Sequence, residues 1–333
     1  MAESRFLLVR LGSLGDIVHA LPAASALREA FPNAEIDWLV EPKWERILES
    51  NRDLNEVITL DRANLTTIRN TVKALRSRDY MCAIDFQGLY KSALMPFAAR
   101  VPRRIGFRES YAREGLASKL YTETHNPVGA HKVDHNLTLV HVAGAAEGPA
   151  RFPLSIFDED RDAAADALGK HNLMEYFVLN PGGGWKSKCW PAERYGELSN
   201  MLAQKYGWRA LVTYGPGEDD LAQQALLSAR GTAVAIPLAL GPLMAVLKGA
   251  KFVVSADTGP LHLASALGAP CIGLYGPTDP ARNGPYSRDD LTVRNLRGVE
   301  TTYGRGGTHA PSMLSITAEQ VAVAVDERLR RIA

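Results

Sequence analysis

Short β-rich runs alternate with helical patterns through most of the chain, and the alternation is run through twice. Residues 5–10 (RFLLVR) read as a buried strand, and 16–30 then place Ile17, Ala20, Leu21, Ala24 and Leu27 at helical spacing. Further strands are expected at 36–40, 57–60 and 80–85, with helices at 43–49, 66–77 and 88–99. Strand, helix, strand in this order implies a parallel sheet with right-handed crossovers. Residues 143–153 (AGAAEGPARFP) have the small, Pro-containing composition of a domain boundary. The pattern then restarts, with strands at 176–180, 210–214, 233–236, 252–255 and 271–275. Helices are expected at 192–205, 219–228, 242–248, 260–267 and, last, 317–331. The expected fold is α/β, with two doubly wound domains, 1–150 and 151–333, facing each other. Ligands of such sheets sit outside the carboxyl ends of the strands, so a cleft between the domains is the expected place for chemistry.

Composition narrows the class. A length of 333 residues suits two domains, and 38 Lys+Arg against 37 Asp+Glu gives a net charge of +1. That balance argues against a nucleic-acid partner, which calls for a strong basic excess. Cys82, Cys189 and Cys271 are far apart and form no C-x-x-C, so neither a disulfide framework nor a zinc site is expected, and a reducing compartment fits. The first apolar run spans only residues 6–9, too short for a signal peptide. The uncharged stretch 258–278 is long enough to span a bilayer, but Gly259-Pro260, Gly268, Pro270 and Gly276-Pro277 interrupt it. It reads as a buried helix followed by a buried strand.

Several loops carry candidate chemistry. After the first strand, Gly12-Ser13-Leu14-Gly15-Asp16 sets Ser13 and Asp16 at capping-box spacing, without a G-x-G-x-x-G dinucleotide fingerprint. Asp16 either complements a helix N-terminus or stands at the cleft as a general base. His19, one turn on, reads as a packing or orienting residue. The second domain opens with Asn180-Pro181-Gly182-Gly183-Gly184-Trp185-Lys186-Ser187-Lys188. Successive glycines expose backbone N–H groups, and the lysines add positive charge, so this loop is favoured as a phosphate site over a flexible solvated turn. The lysines also offer to lower the pKa of Cys189, which otherwise reads as a bystander. At 257–262, Asp257 or Thr258 is a natural N-cap and Pro260 suits the first helical turn, so a diphosphate would meet the N–H groups of Thr258 and Gly259. His262 is either a satisfied core residue or part of that anion site. Glu218, at the start of a helix, is either solvated or within reach of a ribose diol. The turn 275–280 (YGPTDP) is a plain turn or a wall of the same pocket. Residues 100–119 hold Arg100, Arg103, Arg104, Arg108, Arg113 and Lys119 against two glutamates. They form either a solvated surface or, with Lys91, a docking patch for an acidic acceptor. No H-E-x-x-H, no G-x-S-x-G and no metal-spaced Asp/His cluster occurs, so no catalytic metal is implied.

Taken together, the loops resemble the bacterial ADP-heptose:lipopolysaccharide heptosyltransferases of glycosyltransferase family 9. The residues that carry this are GSLGDIVHALPA at 12–23, DFQGLYKSA at 85–93, AREGLAS at 112–118 and KCWPAERY at 188–195. GAKFVVSADTGPLHLASAL at 249–267, followed by YGPTDP at 275–280, is the most specific match. The order is kept over nearly the whole chain, and 85–93 and 112–118 most resemble the heptosyltransferase I branch. The region 61–69 differs, with two arginines where that branch carries a dense cluster, and 182–184 has glycines where hydroxyl residues often occur.

The resemblance implies a GT-B fold of two Rossmann-like domains and an inverting, metal-independent transfer of heptose from ADP-heptose to the Kdo of lipid A. It puts the acceptor on the first domain, the donor on the second, and has the last helix cross back to the first. Asp16 would be the base. Lys188, with Gly183 and Gly184, would meet the diphosphate, as would the backbone of Thr258 and Gly259. Asp257 would hold the sugar hydroxyls, His262 would support the site, and Glu218 would take the ribose. Ser13, Lys91 and Arg113 would face the acceptor. No cofactor is implied beyond the co-substrate. A monomer is expected, cytoplasmic and peripheral at the inner face of the membrane where the lipid acceptor lies. The competing expectations are another nucleotide sugar or acceptor, a nucleotide-sugar epimerase or hydrolase, and a non-enzymatic nucleotide-binding module.

Overall fold

The computed structural model describes residues 4–49, 51–295, 301–302 and 306–331. The chain divides into two compact units, Met1–Ser155 and Ile156–Ala333. The first contains β1 (Arg5–Val9), α1 (Leu14–Ala30), β2 (Glu35–Val40), β3 (Glu56–Thr59), α2 (Leu65–Arg76) and β4 (Cys82–Asp85). It continues with α3 (Tyr90–Ala98), β5 (Arg103–Phe107), β6 (Glu123–His125) and α4 (Lys132–Ala143). Its sheet runs β3-β2-β1-β4-β5-β6, and every neighbouring pair is parallel.

The second unit contains α5 (Asp158–Gly169), β7 (Tyr176–Asn180), α6 (Ala192–Tyr206), β8 (Arg209–Tyr214), α7 (Asp219–Ala229), β9 (Ala233–Pro237) and α8 (Leu240–Gly249). Then come β10 (Val253–Ala256), α9 (Gly259–Ala266), β11 (Cys271–Tyr275), α10 (Pro280–Asn283), β12 (Leu291–Arg294), α11 (Pro311–Leu314) and α12 (Ala318–Arg330). This sheet runs β12-β11-β10-β7-β8-β9, also parallel throughout. Both sheets are wound alike: the first strand is central, the next two add on one side and the last three on the other. Helices on both faces of a parallel sheet explain why β1, β7 and β11 read as continuous apolar runs and are buried along nearly their whole length. In such a winding, the loops beside the point where strand order reverses are splayed apart and leave a crevice. Those points are β1/β4 in the first unit and β7/β10 in the second.

The sequence reading omitted β5, β6, α4, α5, β12 and the short helices α10 and α11. Arg103 and Arg104, expected on either a solvated surface or a docking patch, both lie in β5. Arg103 forms a two-pronged pair with Glu123 of β6, at 2.7 and 3.1 Å. Arg104 donates to the Leu120 carbonyl at 2.8 Å. The segment expected to be a helix at 43–49 is a 3-10 turn, Pro42–Ile47. The stretch 258–278 holds α9 and β11, and among the described residues no helix is long and apolar enough to cross a membrane.

The last helix puts its apolar face into the second unit's core. Val321 and Val325 are fully buried with Leu198 and Leu202 of α6 and with Ile272 and Leu274 of β11. Arg328 locks the helix down, donating to Asp290 at 2.9 Å, with the two side chains 8% and 1% exposed. Asp290 also accepts from the Cys271 amide at 2.9 Å and from Ser265 at 2.8 Å. Replacing Arg328 with Leu would leave a buried carboxylate short of one charged donor. A loss of about 2 kcal/mol is expected, read as a lowered urea midpoint.

Candidate active site

In the first unit, the register sets Val9 beside Asp85, so the loops leaving β1 and β4 start as neighbours. They are then laced together. Arg10 donates to the Phe86 carbonyl at 2.7 Å, and the Leu11 amide donates to Gln87 Oε1 at 2.8 Å. Asp16 lies in the first turn of α1. Arg10 Nη2 meets its Oδ2 at 2.5 Å, and the Ser13 hydroxyl and amide donate to the same oxygen at 2.9 and 3.3 Å. The Ser13 amide contact is the helix-capping arrangement, and the Arg10 pair pins the same carboxylate beside the switch point. Burial alone would push this carboxyl up. Arg10 chiefly, then His19, Ser13 and Lys132, outweigh burial and hold it well below the usual carboxylate range. His19 is buried, with its ring edge-on to His131 at 5.2 Å between centroids, which suits the packing role expected of it.

The turn after β4 is built on Asp85, which is 1% exposed. Its Oδ1 accepts from the Gln87 amide at 2.8 Å, and its Oδ2 from Ser92 at 2.7 Å and from Tyr121 at 2.9 Å. The 112–114 segment is tied to this turn: the Tyr90 amide donates to Glu114 at 2.7 Å, and the Glu114 amide to the Gly88 carbonyl at 2.9 Å. Gly88 has φ +64°, and a side chain there would press on the Ala112–Arg113 backbone at 3.1 Å. Lys91 and Arg113 are thereby brought together, joined by Arg62. Burial first, then the like charges of Arg62 and Arg113 against the pull of Glu41 and Glu114, lower the Lys91 pKa. Clustered cations with mutually unfavourable charge are what an anionic ligand neutralises.

In the second unit, Ser255 pairs with Asn180 in register, so the 181–188 and 257–259 loops flank the β7/β10 switch point. Asp257 is the hub. Lys188 Nζ lies 3.4 Å from its Oδ2 and His262 Nε2 lies 3.2 Å from its Oδ1. Burial pushes the Asp257 carboxyl up, but the His262 hydrogen bond and the Lys188 charge outweigh it, and the carboxyl sits well below its ordinary range. Lys188 Nζ also stands 4.7 Å from the Trp185 ring centroid, which fixes the ammonium from a second side. Thr258 is the N-cap of α9 and Pro260 lies in its first turn, so the helix N-terminus opens beside Lys188 and Asp257. The first-turn N–H groups of a helix have no intrahelical acceptor and carry partial positive charge.

Two expectations change. The Gly183 N–H was expected to meet an anion, yet it donates to Glu218 Oε1 at 3.1 Å, and Glu218 Oε2 accepts from Gly215 at 2.8 Å. Glu218 is packed so closely that a side chain at Gly182 would lie 2.2 Å from its Oε2. Gly184 is exposed at the rim of the same turn. Cys189 is not activated by its lysines: burial dominates and pushes the thiol up.

Sequence reasoning missed Arg10, Arg62, Lys132 and the polar group beneath the second site. There Asn180 donates to the Thr213 carbonyl at 3.1 Å, and Ser255 bonds the Asn180 side chain at 3.3 Å and the Thr258 hydroxyl at 2.9 Å. This network ties β8, β7, β10 and the α9 cap together. The only sequence signal was a polar residue at the end of three otherwise apolar strands. Outside it, at the carboxyl ends of β8 and β9, a hollow of about 310 Å³ is lined by Tyr214, Gly215, Pro216, Asp219, Pro237, Leu238 and Ala239. Glu218 thus stands between this hollow and the glycine turn.

Comparison with known proteins gives this arrangement a family. The model of glycosyltransferase family 9 (heptosyltransferase) matches residues 68–306. Lipopolysaccharide heptosyltransferase 1 of Pseudomonas aeruginosa is 34% identical over 301 residues, which is 86% of this chain and 82% of the relative. Escherichia coli heptosyltransferase WaaC, solved with ADP, superposes with a TM-score of 0.75 at 28% identity, covering 98% of each chain. A family 9 glycosyl transferase from Veillonella parvula shares the fold with a TM-score of 0.87 at 20% identity, again over 98% of each chain. The two parallel six-stranded sheets are the GT-B architecture of these heptosyltransferases. The chain belongs to glycosyltransferase family 9, the heptosyltransferase family, and is a glycosyltransferase.

Proposed function

We propose that this enzyme transfers a heptose from ADP-heptose to the Kdo of the lipopolysaccharide inner core, with inversion and without a metal. The observation that carries the reading is the complementary chemistry at the two switch points: a pinned, ionised carboxylate at one, and a cation beside a helix N-terminus at the other. Solved WaaC structures with ADP and with ADP-2-deoxy-2-fluoro heptose support the donor. The base then sits in the hollow at β8/β9, the ribose at Glu218, the diphosphate between Lys188 and the N–H groups of Thr258 and Gly259, and the sugar against Asp257. His262 holds Asp257, and the 183–184 turn borders the phosphates. Lys91 and Arg113 face the acidic acceptor, with Ser13 beside its nucleophilic hydroxyl.

In the reaction, the acceptor oxygen bonds to the anomeric carbon as the bond from that carbon to the diphosphate oxygen breaks. The acceptor proton passes to Asp16, and the electron pair leaves with ADP. Displacement from the face opposite the leaving group inverts the anomeric centre. The transition state is oxocarbenium-like, so charge grows on the departing diphosphate as the bond stretches. Lys188 and the α9 N-terminus are aimed at that charge before it forms, which is where preorganised dipoles are most effective.

Two measurements test the reading. Kdo-lipid A incubated with enzyme and ADP-heptose should gain the mass of one heptose. No gain, or consumption of the donor without acceptor, would replace transfer by hydrolysis or epimerisation. Because protein cations supply the leaving-group charge, excess EDTA should leave the rate unchanged within about twofold, and a loss restored by added metal would reject the metal-free mechanism. The enzyme would work in the cytoplasm, peripheral at the membrane face that holds its acceptor, and as a monomer.

A further inference from the structure

α2 and α3 pack against each other, and neither contains an acidic residue. On α3, Ser92, Ala93, Met95 and Pro96 are buried, while Tyr90, Leu94 and Phe97 are 48%, 38% and 46% exposed. These three recur at i, i+4 and i+7, so they form one apolar stripe facing solvent. On α2, Arg69, Lys73 and Arg76 recur at the same spacing and are all exposed. The two stripes adjoin, because Arg76 donates to the Ala98 carbonyl at the end of α3, at 2.6 Å. Arg104 stands 5.4 Å from the Phe97 ring centroid and keeps positive charge at the apolar edge. Nearby acidic residues are Asp79 and, bonded to the Tyr90 amide, Glu114. Lys91 lies in the first turn of α3, so this face is continuous with the proposed acceptor side of the unit.

We propose that the exposed face of α2 and α3 is a docking surface for an anionic lipid bilayer, with Tyr90, Leu94 and Phe97 entering the headgroup layer and Arg69, Lys73 and Arg76 pairing with lipid phosphates. An apolar stripe with aromatic members beside a row of cations fits the interface between acyl chains and anionic headgroups. A protein partner would call for a drier, less uniformly charged face. The surface would bring the proposed acceptor-binding end of the unit to the membrane. The inference rests on the lipid-acceptor reading for its purpose, and its test keeps the two apart.

The full chain is sedimented with vesicles of phosphatidylcholine alone and of phosphatidylcholine with phosphatidylglycerol. Wild type should bind the anionic vesicles, weakly or not at all the neutral ones, and lose binding at high salt. The double variant Arg69→Gln/Lys73→Gln should bind anionic vesicles roughly ten- to thirtyfold more weakly. Leu94→Ser/Phe97→Ser should lose about tenfold. Arg69→Gln/Lys73→Gln should melt as wild type does, since both side chains are exposed; Leu94→Ser/Phe97→Ser gives up partly buried apolar area and should melt a few degrees lower but remain folded at the assay temperature. Transfer to acceptor embedded in vesicles should fall with binding, while transfer to detergent-dispersed acceptor stays at the wild-type rate. Equal binding to neutral vesicles, variants that bind like wild type, or an apolar variant that instead dissociates a dimer would overturn the proposal. Vesicle binding as described, with no transfer to either form of acceptor, would uphold the docking surface and remove the acceptor assignment instead.

Discussion

Asp16→Asn is expected to lower kcat by about 10³–10⁴ while leaving the affinity for ADP near wild type. The amide is isosteric and still accepts from Ser13, so α1 keeps its cap, but it takes no proton from the acceptor hydroxyl. Arg10 would be left without its anionic partner, so a melt should accompany the assay to show that the fold survives. The pH profile gives a second readout. A base must be deprotonated to act, and Asp16 is held well below the usual carboxylate range by Arg10, against the opposing effect of burial. The carboxylate therefore stays ionised as pH falls through 4, and no acid limb from Asp16 should appear at or above that pH. Such a base is weak, which suits a transition state in which the sugar bond to the leaving group is largely broken before the proton moves. A variant retaining wild-type kcat would remove Asp16 as the base, whereas an acid limb near neutrality that disappears in Asp16→Asn would keep Asp16 as the base and overturn its low pKa.

Lys188→Met is expected to lower kcat by about 10²–10³, with a smaller change in donor KM. The reason is geometric. The ammonium is held from two sides, by the Asp257 carboxylate at 3.4 Å and by the Trp185 ring at 4.7 Å, so little reorganisation is needed when charge develops on the diphosphate. Charge grows between ground and transition states, so the loss belongs mainly in kcat. Methionine keeps the packing against Trp185 and removes only the charge. Lys188→Arg should recover part of the rate, because the charge returns with a different reach. A pure KM effect would show that Lys188 grips the donor without assisting departure. Full activity in Lys188→Met would transfer the role to the α9 N-terminus alone.

The two sheets were legible from the sequence because their central strands are buried on both faces. RFLLV, YFVLN and CIGLY are apolar over most of their length for that reason, and the segments between them are long enough to read as helices. The peripheral elements were not. β6 spans three residues and β12 four, too short to show a pattern. β5 opens on Arg103-Arg104, whose charges look solvated until Glu123 and the Leu120 carbonyl arrive from later in the chain.

At the site, the sequence supplied the parts that depend on local chemistry. Glycine turns after strands, the Ser13–Asp16 spacing, the Thr258-Gly259-Pro260 helix start and the lysines near the glycines were all readable, because turn and cap preferences are short-range. Partners distant in sequence were decided by strand order. Arg10 reaches Asp16 from a loop fastened to Phe86 and Gln87. Glu218 occupies a glycine amide 35 residues before it. Lys188 reaches Asp257 because β7 and β10 are neighbours in the sheet although far apart in the chain, whereas His262 meets it locally from the first turns of α9. The sequence alone thus determined which loops hold reactive groups, since backbone sterics and hydrophobic periodicity act over a few residues. Only the tertiary structure decided which charges pair, which cations remain clustered at Lys91, and which helices turn a bare apolar and basic face outward. Those outcomes depend on long-range packing, and a pattern along the chain does not carry it.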